Sequence, residues 1–103
     1  MEGNHRGGGM ITIKQLCTYY DTDMVFMTAH SAERFRQRGI RARDVRNAVH
    51  TGEIIEQYPN DFPYPSCLIL GRSLDGRHIH VVMSDEGASS RIMEALINSA
   101  APS

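Results

Sequence analysis

Ser66-Cys-Leu-Ile-Leu-Gly-Arg-Ser-Leu-Asp-Gly-Arg-His-Ile-His-Val-Val-Met83 holds two apolar runs separated by Asp75-Gly76. Two β-prone runs around such a dipeptide read as a hairpin. With Asp75-Gly76 as a two-residue turn, Gly71 pairs with His80 and Ile69 with Val82. Leu68, Leu70, Ile79, Val81 and Met83 then share the core face. His78 and His80 project together from the opposite face, and Gly71 leaves space beside His80 for a ligand. This register sends Arg72 to the core side at the sheet's end. A three-residue turn or a bulge would put Arg72 beside His78 instead.

Upstream of the hairpin, Glu53–Tyr58 reads as a strand, and residues 59–65 hold three prolines and must be a loop. Residues 84–90 form a further turn region. Residues 91–97 fit a last strand, and Met-Glu-Ala-Leu within them fits a helix equally well. Ahead of the strands the apolar period is helical. Residues 10, 13, 16, 17 and 20 are apolar, which predicts a helix over 10–20. A short strand follows at 24–27. Thr28 is placed to cap a second helix that ends at Gly39. The third helix covers Ala42–Thr51, with Val45, Ala48 and Val49 as its buried stripe and Gly52 as its stop. The expected architecture is α+β. Two to three N-terminal helices pack on an antiparallel three- to four-stranded meander, in two layers.

The 103 residues, 41% hydrophobic and 22% charged, suit one soluble globular domain over 10–98. Residues 1–9 are Gly-rich and read as a disordered lead-in, and 99–103 as a disordered tail. No apolar run approaches the roughly 20 residues of a membrane helix, so the expected location is cytoplasmic. Cys17 and Cys67 lack metal-like spacing and read as reduced thiols. His78-x-His80 has the spacing of two metal ligands on one strand, but a third would have to come from His30, His50 or a carboxylate. No cofactor and no metal is expected.

The net charge of -1 hides an asymmetry. Six arginines (34, 36, 38, 41, 43 and 46) lie between Glu33 and Arg46, against only Glu33 and Asp44. On the second helix, His30, Arg34 and Arg38 fall at i, i+4 and i+8, along one side. Guanidinium forks grip phosphate or carboxylate. In the first helical turn the positive end of the dipole disfavours a charged His30 ring, and a neutral ring would be fit to act as a general base. Arg34 and Arg38 would then hold a phosphate, and His80, Tyr58 or Tyr64 would supply an acid. This is the equipment of a metal-independent ribonuclease. The structural alternative has Arg34 and Arg38 paired with Glu33, Glu53 or Glu56, bracing the helix on the sheet. The aromatic residues form no stacking stripe for single-stranded RNA. No P-loop, dinucleotide fingerprint, nucleophile elbow or zinc-binding helix motif is present.

His30-Ser-Ala-Glu-Arg34, Gln37-Arg-Gly-Ile40, Asp44-Val45, Gly52-Glu-Ile-Ile-Glu-Gln-Tyr58, Tyr64-Pro-Ser-Cys-Leu-Ile-Leu-Gly-Arg72 and His80-Val-Val82 stand in one order along the chain. Together they resemble the small bacterial domain-of-unknown-function family numbered 4258. That family is similar to toxin domains of the RelE, ParE and BrnT type. The resemblance implies a RelE-like layout and an RNA-cleaving, toxin-like activity silenced by a small antitoxin. It makes His30, Arg34, Arg38, Arg72 and His80 the candidate site, with His30, Arg34 and His80 as catalytic candidates and Arg38 and Arg72 as substrate-binding ones. The reading of the residues adds His78, Tyr58 and Tyr64 to the substrate-binding set, and RNA and an antitoxin are the expected partners. Residues 91–103 depart from the family's usual ending, which carries a Thr and an aromatic residue on the last strand. The alternative function is a non-catalytic module that docks an acidic protein on its basic helix face.

Overall fold

The turn at the tip of the hairpin has three residues rather than two. In the computed structural model, which describes residues 10–98, the Ser73 amide donates to the Arg77 carbonyl at 2.8 Å and the Gly76 amide to the Ser73 carbonyl at 3.0 Å. Gly76 has φ +88°, whereas Asp75 is not among the residues with positive φ. A two-residue turn of the expected kind needs positive φ at both central positions. The longer turn leaves the left-handed conformation to glycine alone.

That extra residue shifts the register by one. Arg72 faces His78, Gly71 faces Ile79, and Leu70 faces His80. The buried partners of Ile79, Val81 and Met83 are therefore Gly71, Ile69 and Cys67. Leu68 and Leu70, expected in the core, are half-buried on the other face. The space expected beside His80 is absent, because its neighbour is Leu70 and Gly71 faces the helices. Arg72 beside His78 is the arrangement that the longer turn predicts.

Three helices precede a five-stranded sheet: α1 (Ile13–Asp21), β1 (Val25–Phe26), α2 (Ala29–Gln37), α3 (Ala42–Thr51), β2 (Glu53–Tyr58), β3 (Ser66–Arg72), β4 (His78–Asp85) and β5 (Ser90–Ile97). The sheet order is β1-β5-β4-β3-β2. β2 to β5 form the expected antiparallel meander, and β1 adds a short parallel edge at Ser90 and Arg91. Residues 91–97 are strand. The lead-in over 1–9 and the tail over 99–103 lie outside the described residues.

Local signals account for the helix ends. The Thr12 hydroxyl accepts from the Gln15 amide at 3.1 Å, and the Thr28 hydroxyl from the Ser31 amide at 3.0 Å. Gly39, at φ +76°, closes α2. The core is one cluster in which Leu16, Phe35, Ile40, Val45 and Val49 meet Ile69, Ile79, Val81 and Met83. On the opposite face, strand alternation places Leu68, Leu70, Arg72, His78, His80, Val82, Glu94 and Leu96.

The tightest joint lies between α3 and β3. A Cβ on Gly71 would collide with the Ala48 carbonyl oxygen, and one on Gly52 with the carbonyl oxygens of Leu70 and Ala48. Backbone therefore lies on backbone here, and Gly71 can face only the helix. Replacing Gly71 by Ala forces α3 away from the sheet. We expect a loss of about 3 kcal/mol, at the upper end for overpacking, in urea unfolding of Gly71→Ala. A wild-type midpoint in that variant would contradict the contact.

Candidate docking surface

The fold divides the arginines among separate tasks. Arg34 and Arg38 project from α2 toward β5 and meet one carboxylate. Arg34 Nη2 lies 3.0 Å from Glu94 Oε2, and Arg38 Nη1 lies 2.8 Å from Glu94 Oε1. Arg38 Nη1 also donates to the Ala95 carbonyl at 2.9 Å. Beyond Arg91, β5 has no strand on its outer side among the described residues. An open edge invites pairing with another chain, and here α2 covers it with cations. The bracing partner is thus Glu94, not Glu33, Glu53 or Glu56. Partial burial pushes the Glu94 carboxyl up. The Arg38 hydrogen bond, the Ala95 amide and the charges of Arg38 and Arg34 outweigh that and hold it below its ordinary range.

The other candidates are spread along the open sheet face. Arg72 and His78 are directly opposed across β3 and β4, and His80 stands two residues on, between Leu70 and Leu96. A hollow of about 260 Å³ beside Arg72 and His78 is lined by Thr51, Gly52, Glu53 and Leu70 as well. The C-terminal end of α3 and Glu53 border it. His30 is exposed in the first turn of α2. Tyr58 faces Ser66, which faces Ser84. That is four residues along β4 from His80, or about 13 Å. Tyr64 is in the loop at that same end and is 42% exposed. The fold therefore gathers Arg72, His78 and His80 on one face and holds Arg34 and Arg38 on an edge carboxylate. Tyr58 and Tyr64 stand apart from both groups.

A larger concavity lies elsewhere, between the α2–α3 corner and the hairpin tip. It is a cleft of about 750 Å³. Arg36, Arg41, Arg43 and Arg77 surround it, with Met27, Ala32 and Leu74 among its apolar walls. Its two sides are tied together. The carboxylate of buried Asp44 accepts the Arg41 amide at 2.9 Å and the Leu74 amide at 3.0 Å. Arg77 donates to Asp75 at 2.9 Å and to the Gly39 carbonyl at 3.0 Å. The Ser73 hydroxyl, then Arg77, hold the Asp75 carboxyl below its usual range. Arg36 is paired with Glu33. The exposed Arg41 and Arg43 side chains have no hydrogen bond or ion pair among the described residues.

The remaining chemistry is quiet. Both cysteines are free thiols. Burial, and next the charge of Asp85, pushes Cys67 up to about 12. Burial and then Asp21 also raise Cys17. Neither supplies the thiolate that a nucleophile needs. Among the described residues no group of three His, Cys, Asp or Glu side chains could hold a metal, and no helix is long and apolar enough to cross a membrane.

Sequence reasoning found the arginine run but missed Glu94, Leu74 and Arg77. Glu94 had no local signal, since its partners are 56 and 60 positions away. Leu74 and Arg77 flank the turn dipeptide, and only the docking of the tip on the corner gives them a role.

Residues 27–97 match the family described as Domain of unknown function (DUF4258). The chain belongs to that family. No curated protein and no solved structure matches it.

Removing the edge carboxylate tests the bracing role. We expect Glu94→Gln to lower stability at pH 7 by roughly 1 kcal/mol, the scale of a partly exposed charge network. Because the folded carboxyl titrates below its unfolded value of about 4.3, this contribution is full above that value and is lost as the pH falls through the folded one. Urea melts of the two proteins should differ at neutral pH and converge in strong acid. A constant gap would place the effect elsewhere.

Proposed function

Starting from that family membership, whose description names no activity, we propose that the protein is a non-catalytic binding module. It docks an acidic partner protein on the arginine-rich corner between α2 and α3. One observation carries this reading: a cleft of about 750 Å³, its two sides tied together through Asp44 and Arg77, whose Arg41 and Arg43 side chains are uncommitted among the described residues. Exposed pairs add little energy to a fold, so these guanidiniums are free to act in recognition. Arg34 and Arg38 would need to leave Glu94 before gripping a phosphate, which counts against the helix stripe as a phosphate clamp.

Binding of a fluorescent polyglutamate peptide tests the reading. We expect salt-sensitive binding that falls about tenfold in Arg41→Glu/Arg43→Glu, with an unchanged thermal melt. Binding that the double variant leaves intact would remove the corner from the account.

A second reading is favoured by Arg72, His78 and His80 sharing the open face beside the smaller hollow. On it, the protein is a toxin-like, metal-independent ribonuclease held in check by a small antitoxin. His30 or His80 would be the base or acid, and the arginines would meet the phosphate. Expression of the chain alone should then arrest growth and degrade RNA, and His80→Ala should abolish both. Arrest retained in His80→Ala, His30→Ala and Arg34→Ala alike would exclude this assignment.

A further inference from the structure

The cleft at the corner is more than a patch of charge, because its walls are partly apolar. Leu74 is 59% exposed on the hairpin tip, facing a concavity that Met27 and Ala32 also line. A purely ionic ligand has no use for an exposed leucine beside arginines. The tip needs no leucine for its own geometry either, because its turn is held by Ser73, Asp75 and Gly76 through hydrogen bonds.

We propose that the occupant of this cleft is a short, amphipathic, acidic helix of a partner protein, with carboxylates on Arg41 and Arg43 and an apolar side chain against Leu74 and Met27. This rests on the docking reading above and adds the shape and polarity of the partner. The helical form follows from hydrogen bonding. The cleft is bounded by α2, α3, the hairpin tip and Met27 just after β1, and no residue of β1, β2 or β5, the strands with an unpaired side, lines it. An incoming extended peptide would find no free strand edge to pair with, whereas a helix satisfies its own backbone. Leucine-sized anchors recurring every three or four residues then meet the apolar wall, and the neighbouring positions carry the acids. A nucleic acid is the weaker fit, since no aromatic side chain is exposed in the cleft for bases to stack on.

The experiment compares two fluorescent peptides of roughly three helical turns, identical in composition and rich in Glu. In one, the leucines share a helical face, and in the other they are scrambled around it. Anisotropy titrations use the full chain, Leu74→Ser and Arg41→Glu/Arg43→Glu, each checked by thermal melt. We expect the amphipathic peptide to bind about tenfold tighter than the scrambled one, the effect of burying about half to one leucine side chain. Leu74→Ser should erase that difference and leave the scrambled peptide untouched, and the arginine variant should weaken both. Equal binding of the two peptides with no effect of Leu74→Ser overturns this inference and leaves the docking reading standing. Binding of neither peptide overturns both. A single-stranded RNA oligomer that outcompetes the amphipathic peptide at the Arg43-dependent site also overturns the inference, as would a concentration-dependent dimer blocked by Leu74→Ser.

Discussion

The approach of α3 to β3 is the constraint on which the remaining structure rests. Gly71 lies against the Ala48 backbone with no room for a Cβ, and Gly52 repeats the condition one turn later. Once Gly71 must face the helix, alternation along β3 turns Cys67 and Ile69 inward and Leu68, Leu70 and Arg72 outward. β4 must then present Ile79, Val81 and Met83 to the same core. A two-residue tip would break that match, so the chain takes three residues and a left-handed glycine. The outward position of His78 and His80 is a consequence of this packing.

The same packing sorts the charges. α2 follows β1 along the exposed side of β5, and its first two inward-reaching arginines are consumed by Glu94 and by a strand carbonyl. They protect an edge that would otherwise be open to pairing. Past Gly39 the chain turns, and Arg41 and Arg43 emerge at the start of α3 beside the hairpin tip. Asp44, the nearest acid in sequence, is withdrawn from this field, because its oxygens are committed to two backbone amides. An arginine-rich stretch thereby becomes a cationic cleft with a buried carboxylate as its fastener.

This division bears on function. A phosphoryl-transfer site needs its base, acid and guanidiniums around one point in space. Here His80 stands between two leucines, the Arg34–Arg38 pair is held by a carboxylate, and Tyr58 and Tyr64 lie at the far end of the sheet. A docking surface asks less: charge of one sign, a shaped hollow and rigidity. The corner has all three, with Leu74 as an apolar anchor point.

The helices, the first four strands and the Thr28 and Gly39 boundaries were legible because each rests on neighbours within about four residues: a capping hydroxyl, a helical apolar period, a proline run. Residues 91–97 suited helix and strand equally, and pairing with β4 decides for the strand. The arginine cluster was legible for the same reason, as was the family likeness over most of the chain. The hairpin register was not, since Asp75-Gly76 suits two turn lengths and only the fit of Gly71 on Ala48 chooses between them. Nor were Glu94 as the partner of Arg34 and Arg38, or Leu74 and Arg77 as walls of a cleft. Those contacts join residues about 30 to 60 positions apart in sequence. Composition and spacing carry information about which side chains are present and which local shapes they prefer. Which charges neutralise each other is settled by distance in space, and that exists only after the helices have docked on the sheet.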